Sequence, residues 1–158
     1  MTVDSLSSLD GGIDVNGSSF TVTDTGNVAT AGDLSVTGTT TLSGDLKYGV
    51  TSAITAAGST QGDATALSET INIVTTASNN SGVKLKSAVA GLRCEVFNTT
   101  SSDIKVYPNT SDKIDTGSSN AAKVLPGLSS MVFVCKDAEK WEILRPLAIY
   151  NSSGNLVN

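Results

Sequence analysis

Glycines recur six residues apart, at Gly26, Gly32, Gly38 and Gly44, in the stretch GNVATAGDLSVTGTTTLSGDL. Two residues after each glycine stand Val28, Leu34, Thr40 and Leu46, and two further on stand Thr30, Val36 and Leu42. Apolar residues at even spacing, punctuated by glycine, suit short extended segments that turn every six residues. Glycine and β-branched residues both oppose a helix here. The stretch has too few large side chains to enclose a core alone, so a repeat of this kind gains stability by stacking on neighbours or on other copies. It reads as a β stalk wound with identical chains. A flexible Gly/Thr/Ser linker has a similar composition, but a linker has no need of a regular phase.

The chain of 158 residues has room for one ordinary domain and an extension. Ser and Thr make up about a quarter of it, well above ordinary usage. With 39% apolar and 16% charged residues it is not composed like a disordered chain. Short Thr, Val and Ile runs between Gly, Asn, Asp and Ser predict an all-β protein. The net charge of −5 argues against nucleic acid or an anionic membrane as partner. The chain has no histidine, which removes the commonest general base and metal ligand. The first ten residues lack the basic and apolar regions of a classical secretory signal. No apolar run approaches the length of a bilayer span.

Four regions follow. Residues 1–19 read as an extended arm with isolated Val3, Leu6, Leu9, Ile13 and Val15. Its Asp10–Gly17 segment lacks the closing Glu of a calcium loop and reads as a turn. Residues 20–50 form the stalk, and residues 51–145 a small β-sandwich or jelly-roll-like domain of six to eight strands. In it, strands are expected around Ser52–Thr55, from Ile71, at Val83–Lys86, Gly91–Phe97 and Asp103–Tyr107, then at Asp112–Ile114, Ala121–Leu125, Ser130–Lys136 and Trp141–Leu144. The turn Asn98–Asp103 is expected to join its flanking strands as a hairpin, and Asp137–Lys140 to join a second hairpin. The most apolar run, Ser130–Lys136, should lie centrally in a sheet. Residues 146–158 form a tail with Leu147, Ile149, Tyr150 and Val157, expected either to pack on another subunit or to fray. Cys94 and Cys135 lie on apolar strand faces and read as buried free thiols in preference to a disulfide.

The order of several pieces resembles a β domain of tailed-phage structural proteins. Those pieces are Ile54–Gln61, Asn72–Thr76, Gly82–Leu85, Val106–Asn109, Asp112–Asp115 and Val132–Cys135 before Lys140-Trp141. The glycine-spaced stretch is similar to the shafts of trimeric phage fibres. The resemblance covers roughly residues 52–145 and carries no catalytic residues. It implies a virion protein, trimeric, made in the bacterial host cytoplasm: a head decoration (cement) protein, a head fibre or part of a tail fibre. The shaft begins about twenty residues from Met1, leaving little room for a tail anchor, which favours decoration of the capsid surface.

The first expected function is therefore structural and non-enzymatic, with no cofactor and no metal. The partners would be the chain itself, through Val28, Leu34, Val36, Leu42 and Leu46, and the major capsid protein, through Leu6, Leu9, Ile13 and Val15. Strand addition by the arm would contribute to that contact. The second is a receptor or glycan module, whose polar-tipped aromatics would be Tyr48, Tyr107, Tyr150 and Trp141; of these, Trp141 sits in an alternating strand and reads as core. The third is an enzyme with paired carboxylates among Asp103, Asp112, Asp115 and Glu142, residues that also suit plain turns. Asn-X-Ser/Thr sequences at Asn16, Asn79, Asn98, Asn109 and Asn151 imply no glycan in a bacterial host.

Overall fold

The computed structural model describes residues 34–144, 149–150 and 156–157. The chain divides into two compact units, Met1–Gly44 and Asp45–Asn158. In the first, described residues 34–44 form no strand and are all exposed. The arm, Val28 and the Asp10–Gly17 segment lie outside the described residues.

In the second unit all described regular structure is β. Ten strands come first: β1 (Val50–Thr55), β2 (Thr65–Ala66), β3 (Ile71–Thr76), β4 (Gly82–Lys84), β5 (Arg93–Asn98), β6 (Ile104–Tyr107), β7 (Lys113–Ile114), β8 (Lys123–Leu125), β9 (Ser129–Asp137) and β10 (Lys140–Ile143). β11 (Ile149–Tyr150) and β12 (Leu156–Val157) form a separate antiparallel pair.

The first six strands alternate between two sheets. β1, β3 and β5 pair in parallel in one, and β2, β4 and β6 in the other. Each pass through both sheets stacks on the pass before, which gives a β-solenoid-like arrangement. β8 and β9 then add antiparallel to β6 and β5, and β10 returns antiparallel along β9 with β7 beside it. The sheets run β1-β3-β5-β9-β10-β7 and β2-β4-β6-β8. The β-rich class, the β9–β10 hairpin and the interior place of β9 agree with the sequence reading. The layers resemble a sandwich, but their parallel ladders are not the antiparallel connections of a jelly roll.

The hairpin expected across Asn98–Asp103 does not form. β5 belongs to the six-stranded sheet and β6 to the four-stranded one, so this turn carries the chain from one layer to the other. Asn98 explains the bend: its side chain is buried and bonds the turn's backbone instead of letting the strand fold back on itself. The stretch also lacks the two-residue Asn-Gly or Gly-X signal of a tight hairpin.

One apolar cluster joins the inner faces of both sheets. Val74, Val96, Phe133 and Trp141 come from the larger sheet, and Val83, Val106 and Leu125 from the smaller. Trp141 is fully buried and its Nε1 donates to the Lys86 carbonyl at 3.2 Å. Where the strands are covered on one face only, side chains alternate inward and outward. In β3 the inward set is Asn72 and Val74, so Ile71 and Ile73 point outward and are partly exposed. Gly82 in β4 is crowded by its own sheet, between β6 and the residue preceding β2. A Cβ there would stand 2.9 Å from the Tyr107 ring and 3.0 Å from the Ala64 Cβ.

Candidate association surfaces

Of the residues expected to drive self-association, Leu34, Val36 and Leu42 are exposed in the first unit and Leu46 in the second, by 72%, 51%, 58% and 59% of their surface. None lies in a strand. Nothing in the described chain brings these four together into a core. Tyr48 and Val50 continue the even spacing from Leu46 and are also exposed. The capsid-contact residues Leu6, Leu9, Ile13 and Val15, like Val28, lie outside the described residues.

The carboxylates of the enzyme reading serve the backbone in three of four cases. Asp112 is buried and its Oδ2 accepts the Ala88 N–H at 2.8 Å. Buried Asp115 accepts the Ile143 N–H at 2.9 Å, and Asp103 accepts the Gly127 N–H at 3.0 Å. Glu142 pairs with Lys140 and Lys136. Each acid fastens a different segment, so their arrangement is that of turn and strand clamps. Among the described residues no group of three or more His, Cys, Asp or Glu could hold a metal ion. Trp141 lies in the core, as its strand pattern predicts, and Tyr107 is buried with its hydroxyl donating to the Ser59 carbonyl. Tyr48 remains exposed.

Sequence reasoning missed a shallow groove at the end of β5 and the start of β9. It has a volume of about 320 Å³ and is lined by Phe97, Asn98, Thr99, Leu128, Ser129 and Ser130. Leu128 has φ +55° and is 76% exposed, in a backbone region where leucine is uncommon. The loop is held there because Leu128 N donates to the Thr100 carbonyl and Asn98 Nδ2 to the Pro126 carbonyl. Pro126-Gly127 signalled a turn, but no sequence signal showed that an exposed leucine would follow it.

Cys94 and Cys135 are free and buried, as expected. Cys94 stands opposite Phe133, which places Cys135 on the diagonal. Diagonal neighbours are about 7–8 Å apart, beyond the usual Cα span of a disulfide. Burial is the main cause that pushes both thiols up, each to about 11. At pH 8 a thiol reagent should label neither cysteine in the native protein and both in denaturant. The raised value means that the folded state keeps protons the unfolded state releases. The thiols' contribution to stability is thus complete below about 9 and lost as pH rises towards about 11. Thermal unfolding followed across that window should show the decline, and C94A/C135A should flatten it. Rapid labelling of the native protein would contradict the burial.

No protein-family model, no curated protein and no solved structure matches the chain.

Proposed function

We propose that this chain is a non-enzymatic structural protein of a tailed-phage virion, an intertwined homotrimer that decorates the outer surface of the head and reinforces the shell. The observation that carries the self-association is the exposure of Leu34, Val36, Leu42 and Leu46. Full burial of such a side chain contributes about 1.5–3 kcal/mol, and the regular glycine phase gives identical chains a common register. The phage setting rests on the resemblance of residues 52–145 and of the stalk. The arm residues Leu6, Leu9, Ile13 and Val15 would bind across neighbouring copies of the major capsid protein, and binding to the assembled shell stabilises it by mass action.

Immunogold electron microscopy of virions, with antibody against residues 51–145, tests this reading. Gold distributed over heads is the expected result. Gold confined to tails would overturn it in favour of a fibre module, with the Phe97–Leu128 groove as candidate receptor contact. Deleting residues 1–19 should abolish head labelling while the β domain stays folded by circular dichroism.

A further inference from the structure

The outer face of the six-stranded sheet is more apolar than a solvent-facing β surface needs to be. Val50, Ile71, Ile73 and Phe97 stand on adjacent strands, since Val50 pairs with Ile71 and Ile73 with Phe97. Val132 and, by continuation of the β9–β10 register, Leu144 extend the face on the other side of Glu95. Val50 and Leu144 are each 53% exposed and Phe97 36%, while Ile71, Ile73 and Val132 are partly covered. Contiguous apolar patches of this kind mark association sites.

The charges on the face identify the occupant. Arg93–Glu95, Lys140–Glu142 and Lys136–Glu142 are all ion pairs between side chains of this face. With Lys113, exposed beside Lys140 on β7, four cations and two anions leave the face positive on a chain whose net charge is −5. A second copy of this acidic chain therefore meets a complementary surface. The sheet edges favour face packing over strand addition. β1 carries register shifts and Ala53 at φ +62°, and β7 has only two residues; short or bulged edges resist pairing with another chain.

We infer that the outer face of this sheet, centred on Ile73, Phe97 and Val132, is the contact between the β domains of neighbouring copies. This rests on the self-association proposed above and adds a second contact to it, beyond the glycine-spaced segment.

Light scattering coupled to size exclusion, on the full chain, tests it. F97E/L144E introduces charge at two exposed positions and should lower the mass from that of three chains towards one, with the circular dichroism spectrum kept. V89E/V124E, at exposed positions off this face, should leave the mass unchanged. If the glutamate pair fails to fold, F97S/L144S is read the same way. Trimeric wild type with F97E/L144E equally trimeric would overturn this contact and leave the self-association standing. A wild-type mass of one chain would overturn both, with the face then covered by the chain's own residues if F97E/L144E also lowers the melting temperature.

Discussion

Trp141→Ala is expected to unfold much of the β domain at moderate temperature. Trp141 is the largest fully buried side chain described, and it packs in the one cluster that both sheets share. Large-to-small changes of this kind cost about 3–5 kcal/mol, because the transferred surface is lost and the cavity only partly collapses. The Lys86 carbonyl also loses its indole donor. A domain of this size shifts by about 4–8 °C per kcal/mol, so melting should fall by about 15 °C or more. Trp141→Phe should cost less, since it fills most of the space and loses mainly the hydrogen bond. A melting temperature for Trp141→Ala within a few degrees of wild type would mean that the two sheets do not share this core.

Asn98→Asp is the second large effect. Asn98 is 1% exposed at the end of β5. Its Nδ2 donates to the Ser102 carbonyl at 2.8 Å and the Pro126 carbonyl at 3.0 Å, and its Oδ1 accepts from Thr100 Oγ1 at 2.8 Å. A carboxylate keeps the acceptor and loses the donor, and it turns negative charge towards two carbonyls. Each buried group left unpaired costs about 1–3 kcal/mol, so a loss of about 3 kcal/mol or more is expected at pH 7. The introduced carboxyl can donate only when protonated, so its pKa in the folded state should rise. The protonated form should recover part of the loss below about pH 4, the range of an unfolded aspartate, and that recovery should vanish as pH rises. Denaturant unfolding at pH 4 and pH 7 measures this, and an equal deficit at both would contradict the assigned hydrogen bonds.

The β class, most strand positions and the β9–β10 hairpin were legible because alternation survives wherever one face is covered. Cys94, Val96, Phe133 and Trp141 are buried in the phase their strands dictate. The solenoid-like stacking was not legible. Its register partners, such as Val50 with Ile71, Ile71 with Glu95 and Thr65 with Val83, fall at unequal separations along the chain, so no fixed repeat appears. Asn98 misled the reading of its turn, since an asparagine before Thr-Thr-Ser-Ser looks like an ordinary exposed loop. Its burial depends on carbonyls of the Pro126 loop, far off in sequence. In β3 the inward residue is Asn72, whose Nδ2 donates to the Glu69 carbonyl at 2.9 Å. Composition alone would have assigned Ile71 and Ile73 to the core. The exposed leucines of the glycine-spaced segment were legible as residues that a single chain leaves uncovered, because no core-forming partners accompany them in sequence.

Native mass spectrometry of the full chain tests the self-association at the centre of this account most directly. One dominant species at three times the 16.1 kDa chain mass is expected, dissociating in L34D/V36D/L42D. A spectrum at all working concentrations showing only the single-chain mass would contradict it.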